Sequence, residues 1–161
     1  MYEIQVRIDI QSPIGDVFDA ISDHEHFFRG HGVTRSVVTR PGRDEKNGLG
    51  AIREIDAGGH HFVEEVVRFE RPRRFDYIVR SVARGGMRLP MRHELGWLEL
   101  CEQGGRTRVE WRSRFRITIP LLGGMLERVM GPRMTQAFGR LLEQARGELE
   151  PSVAKGRRPA V

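Results

Sequence analysis

Thr107-Arg108-Val109-Glu110-Trp111-Arg112-Ser113-Arg114-Phe115-Arg116-Ile117, followed within a few residues by the segment from Leu121 to Leu149, decides the architecture. The first stretch is apolar or small at odd positions and charged at even ones, so it reads as a strand with one buried and one wet face. The second places Leu122, Leu126, Val129, Met130, Met134, Phe138, Leu141, Ala145 and Leu149 at three-to-four spacing, one apolar stripe of a long helix. A sheet that buries one face under a single long helix can leave a cavity between the two.

Working outward, Tyr2 to Ile10 alternates as a half-buried first strand. Ser12-Pro13 reads as a helix start, with Ser12 the N-cap and Pro13 the first helical residue; Ile14, Val17, Phe18 and Ile21 give that short helix its inner face. His24 to Phe28 forms a second short helix, ended by Gly30 and Gly32. Strands are expected over 33–40, 50–57, 60–70, 73–83, 89–102 and 106–117. They are separated by Pro41-Gly42, Asn47-Gly48, Gly58-Gly59, Arg71-Pro72, Gly85-Gly86 and Gly104-Gly105. Connections this short make an antiparallel meander. Gly131-Pro132 is expected to interrupt and kink the last helix.

Composition excludes several classes. The 161 residues suit one domain with a real core, and no apolar run approaches the ~20 residues that cross a bilayer. The opening Met1-Tyr2-Glu3-Ile4-Gln5 lacks the layout of a signal peptide. A single cysteine, Cys101, fits a reducing compartment and reads as a small packing residue at a strand end. The expected location is the cytoplasm. A net charge of +5 and a pI near 10.3 raise nucleic acid as a partner. However, Arg108, Arg112, Arg114 and Arg116 alternate along one strand with acids such as Glu110 among them, the pattern of a solvated sheet face; no nucleic-acid partner is expected. The segment 151–161, with Lys155, Arg157 and Arg158, reads as a disordered basic tail, leaving residues 1–150 as a single domain.

The order strand, two short helices, six meandering strands and one long helix resembles the START-like or birch-pollen-allergen-like (SRPBCC) superfamily. More narrowly, it resembles the bacterial polyketide cyclase/dehydrase and lipid-transport branch. The resemblance covers roughly residues 2–149. Its carriers are Ile10-Gln11-Ser12-Pro13-Ile14-Gly15-Asp16-Val17-Phe18, Gly48-Leu49-Gly50-Ala51-Ile52-Arg53, the run from Glu64 to Phe75, and Arg106-Thr107-Arg108-Val109-Glu110-Trp111. It implies an α+β helix-grip fold, a curved antiparallel sheet wrapped around the C-terminal helix, and a pocket between them. The superfamily holds enzymes, carriers and co-chaperone domains, so fold alone does not name a function.

The apolar wall of such a pocket is expected from Ile8, Val79, Leu98, Val109, Trp111, Phe115, Met130, Met134 and Phe138, with Phe27, His24 and His26 at its entrance. Plain core packing is the competing reading of that stripe. Met125, Met130 and Met134 would make the wall adaptable. For the polar set, alternation back from Leu100 through Leu98 and Gly96 turns Glu94 and Arg92 inward. A two-residue turn at Gly58-Gly59 sets Arg53 opposite Glu64. Phe69, Val67 and Val63 instead favour the face of Glu65, and a bulge could reconcile the two. Tyr77 falls inward with Phe75 and Val79. A buried Arg–Glu pair is either structural or an anchor for a ligand's polar end. His24 and His26, and His60 and His61, are spaced so that neither pair shares a face, and no metal or cofactor is expected.

Three functions remain open at this point. One is binding of a hydrophobic or amphipathic, lipid- or polyketide-like small molecule by a monomer or homodimer. A second, implied by the resemblance, is a polyketide cyclase, aromatase or dehydratase using Arg53, Glu64, Tyr77, Arg92 or Glu94 as acid–base groups, none of which matches a catalytic motif of that family. The third is a protein-interaction module using the basic sheet face.

Overall fold

The computed structural model describes residues 1–30 and 32–150, so the expected tail (151–161) and His31 lie outside the described residues. Strand β1 (Tyr2–Ile10) is followed by helices α1 (Ile14–Ser22) and α2 (His24–Phe27). The meander is β2 (Val33–Arg40), β3 (Ile52–Ala57), β4 (His60–Glu70), β5 (Arg74–Arg84), the two-residue β6 (Met87–Arg88), β7 (Met91–Gln103) and β8 (Arg106–Ile117). Helix α3 (Gly123–Leu149) closes the chain. The sheet order is β1-β8-β7-β5-β4-β3-β2, all antiparallel, with β6 beside β5. This is the α+β helix-grip fold.

The first strand closes against the last, with Val6 opposite Trp111 and Ile8 opposite Val109. That pairing carries α3 across β1 and β8, leaving the β3–β5 side of the curved sheet open beneath it. The main core sits at one end, where α1 and the last turns of α3 press Phe18, Ile21, Leu141, Leu142 and Ala145 onto Ile8, Val109, Leu98 and Phe75. Leu98, Val109 and Ile8 therefore pack the core rather than a pocket wall.

Several local expectations need correction. Ser12 does not cap α1: Pro13 holds the cap position without a side-chain hydrogen bond, and the Ser12 carbonyl instead accepts from the buried Thr107 hydroxyl at 2.8 Å. Helix α3 starts at Gly123, because Leu121 adopts a left-handed φ of 64°. It also runs unbroken through Pro132. Gly131 serves a close approach: a Cβ there would collide with the Tyr2 ring. Gly123 does the same against the Ile117 carbonyl oxygen. Cys101 is exposed.

Candidate functional site

Three β-bulges decide which polar side chains face the helix. In β4–β5, Val63 lies opposite Ser81 but Glu64 opposite Val79, leaving Arg80 unpaired; farther on, Val66 faces Tyr77 and Arg68 faces Asp76, leaving Val67 over. The extra residue at Val67 flips the strand's phase. Phe62, Glu64 and Val66 thus share the inner face with Phe69, although one set is even-numbered and the other odd. Glu65 consequently points outward, where Arg80 binds it at 2.8 Å. The hairpin register holds as read, with Arg53 opposite Glu64.

The third bulge, in β7–β8, overturns Arg92 and Glu94. His93 lies opposite Phe115 and Leu95 opposite Arg114, so Glu94 is the extra residue. Extrapolating inward alternation from Leu98 across it gives the wrong face. Arg92 and Glu94 are exposed, and His93 is buried in their place. Nothing in a single sequence marked His93, since its inward direction depends on a bulge with no turn residue to signal it.

The cavity between α3 and the sheet has a volume of about 200 Å³. Trp111, Phe115, Met134 and Phe138 line it, with Val79, Phe28, Ile55, Phe62, Met91 and Leu141; Glu64, His93 and Ser113 are its polar members. Trp111 stacks on Phe138 at 4.0 Å between ring centroids. Besides Ile8, Leu98 and Val109, the expected wall residue Met130 and the expected entrance residue Phe27 lie elsewhere. Met130 is 37% exposed, one turn short of Met134, because the first half of α3 overhangs the sheet. Phe27 is buried against Trp111 and borders a small neighbouring void with Arg53 and Tyr77, while Phe28 takes the cavity wall. His24 is fully buried rather than at an entrance, and His26 is exposed.

The polar groups form a linked set. Arg53 Nη2 meets Glu64 Oε2 at 2.9 Å, with side chains only 3% and 8% exposed. The guanidinium also lies over the Tyr77 and Phe75 rings, at 5.5 and 5.8 Å. Burial pushes the Glu64 carboxyl above its ordinary value, and Arg53 pulls back part of that rise. Tyr77 accepts a hydrogen bond from Trp111 Nε1 at 2.9 Å, and burial followed by the Glu64 charge drives its phenol upward. Tyr77 lies flat across Gly96, where any Cβ would collide with the ring.

His93 stacks on Tyr77 at 5.5 Å. The Val79 N–H donates to His93 Nδ1 at 3.1 Å, so the ring proton belongs on Nε2, which lies 2.9 Å from Ser113 Oγ and donates to it. Desolvation lowers His93 to about 4. The Ser113 hydroxyl, its oxygen engaged by His93, also lies beside the Tyr77 phenol. The site thus offers an acceptor, Glu64, and a hydroxyl, Ser113, in an otherwise apolar space.

His24 is held neutral by burial, reinforced by the nearby Arg53 charge, with its value lowered to about 2. Among the described residues neither His24 ring nitrogen nor Arg53 Nε has a hydrogen-bond partner; the Glu54 backbone approaches His24 without reaching hydrogen-bond geometry. No cluster of three or more metal-capable side chains occurs among the described residues.

The sequence profile of the family described as polyketide cyclase/dehydrase and lipid transport matches residues 1–150. The chain belongs to that family. Solved structures agree on the fold. A START superfamily protein from Mycobacterium smegmatis superposes with a TM-score of 0.73 at 10% identity, covering 93% of this chain and 100% of that one. Ara h 8.0201 gives 0.64 at 11% identity over 89% and 97%. The Aha1 dimer from Colwellia psychrerythraea gives 0.62 at 14% identity over 97% and 100%. At such identities the likeness carries the fold alone. A comparison with curated proteins returns no match. The family's helix-grip fold is one that holds hydrophobic ligands. No helix among the described residues is long and apolar enough to cross a membrane.

Proposed function

We propose that this family member binds an uncharged, mostly apolar small molecule in the cavity beneath α3, with its polar end at Glu64 and Ser113. The observation that carries the reading is the cavity itself: about 200 Å³ walled by Trp111, Phe115, Met134 and Phe138, with Glu64 and Ser113 among its few polar lining groups. Pockets for drug-sized ligands run ~300–1,000 Å³, so the occupant is compact or the flexible Met134 and Met91 side chains yield to it. A hydroxyl or carbonyl group suits the polar pair. A carboxylate does not, because Glu64 already occupies the buried Arg53 guanidinium at 2.9 Å. The outer sheet face supports an interaction module less well: Arg108 binds Asp9, Arg112 binds Glu110, and Arg114 binds Glu3, so those charges are already matched.

Native mass spectrometry of the purified protein, followed by titration with medium-chain alcohols, ketones and acids, tests the proposal through Trp111 fluorescence. Saturable binding of the neutral compounds, weakened in Phe138→Ala, which keeps the fluorophore, is expected. Equal binding of acids and alcohols would remove the assigned polar end; no binding of any would remove the cavity as a site. Glu64, a buried carboxyl lifted by desolvation inside the cavity, also favours an acid–base enzyme as a second reading. If Glu64→Gln keeps affinity but abolishes conversion of a bound polyketide-like ketone to product, the enzyme replaces the carrier.

A further inference from the structure

The first half of α3 turns an apolar face away from the protein. Leu122, Met125 and Val129 follow i, i+3, i+7 spacing on one side of the helix and are 50%, 58% and 53% exposed; Leu121, just before it, is wholly exposed. The opposite side packs down through Gly123 and Gly131, whose missing side chains let the helix backbone sit on Ile117 and Tyr2. The exposed face is therefore not a core stripe that failed to dock, because the helix already rests on another face.

Arg128 and Arg133 flank it at i+3 from Met125 and i+4 from Val129, both exposed. Among the described residues neither has a carboxylate partner. The local acid, Glu127, is buried and consumed by the Met1 amino group at 2.8 Å and the Ile117 N–H at 2.9 Å. Arg116 adds a further positive charge beside it.

We infer that this face, Leu121 to Val129 with Arg128 and Arg133, docks on an anionic lipid bilayer. Apolar side chains on one helix face with arginines beside them form the pattern of an interfacial helix, which inserts its apolar face among headgroups while the cations meet anionic lipid. Self-association is disfavoured, since a second copy would bring the same uncompensated arginines to the same face. Met130, on the next turn, leads to Met134 in the cavity wall, so docking brings the Met134 side of the cavity near the bilayer.

Co-sedimentation of the full chain with phosphatidylcholine vesicles, with and without phosphatidylglycerol, tests the inference at low and high salt. Binding to the anionic vesicles, weakened by salt, is expected. Met125→Asp/Val129→Asp should reduce it by at least about tenfold, and Arg128→Glu/Arg133→Glu by a similar factor. Both variants should melt as the wild type does, because none of the four side chains is buried. Absence of binding to anionic vesicles would overturn the inference. So would binding that survives Met125→Asp/Val129→Asp, which would make it a property of overall positive charge. A dimer in sedimentation velocity that Met125→Asp dissolves, in protein that ignores vesicles, would assign the face to self-association instead.

Discussion

The two halves of α3 carry the same helical periodicity and meet opposite fates. In the second half, Leu141, Leu142 and Ala145 are buried under α1 and against β1 and β8. In the first half, Leu122, Met125 and Val129 are exposed, and the buried positions are Gly123, Glu127 and Gly131. Periodicity identifies residues that share a face. Whether that face meets anything depends on where the sheet lies, and here the sheet meets the first half through Gly123, Glu127 and Gly131 rather than through the apolar stripe.

The largest effect is expected at the closed end of the cavity. Arg53→Met leaves Glu64 charged and buried without its partner and should cost about 3–5 kcal/mol in chemical denaturation. Arg53→Met combined with Glu64→Leu should recover much of that; equal loss in single and double variants would show that packing, not charge, holds the site.

Leu142→Ala, at a fully buried position, should cost about 2–5 kcal/mol. Met125→Ala, several turns before it in an exposed position, should stay within about 0.5 kcal/mol. Comparable losses at the two sites would erase the contrast between the halves.

Acid acts on the histidines buried among the described residues, His93 in the cavity wall and His24 in α2. His93 and His24 are held neutral to about pH 4 and about pH 2, against an ordinary value of 6.5. Below pH 6.5 the unfolded chain takes up protons that the folded chain refuses, so their contribution is whole above that value and is lost as pH falls toward 4. Each should remove about 1 kcal/mol per pH unit across that window. His24→Phe, which also replaces two unpartnered nitrogens, should flatten the slope measured by urea unfolding between pH 6.5 and 4.5. An unchanged slope would mean that His24 is charged or solvated.

The smallest effect separates the glycines of the helix. A Cβ added at the exposed Gly147 would meet nothing within 4 Å, so Gly147→Ala should raise stability by about 0.5–1 kcal/mol. Gly131→Ala should lower it by about 1–3 kcal/mol through collision with Tyr2. Thermal unfolding of the two variants should move in opposite directions.

Much of the fold was legible because it is written locally. Strands β2, β4 and β8 begin and end where alternation and turn residues put them, and the Gly58-Gly59 hairpin alone pairs Arg53 with Glu64. The site was legible where no bulge intervened: Trp111, Phe115, Met134 and Phe138 line the cavity as their alternation and stripe imply. It failed at Arg92 and Glu94, where one unpaired residue reversed the phase, and the same reversal hid His93. Glu64 and Glu65 could not be separated until the bulge at Val67 was visible.

By itself, then, the sequence determined element order and the buried face of each uninterrupted strand, since alternation, helical spacing and turn chemistry act over a few neighbouring residues. Only the tertiary structure decided that β1 closes on β8, that α3 rests its first half on glycines, and that the cavity takes its polar character from Glu64, His93 and Ser113. Those outcomes rest on contacts between segments distant in the chain and on bulges set by the sheet's curvature, which no local pattern encodes.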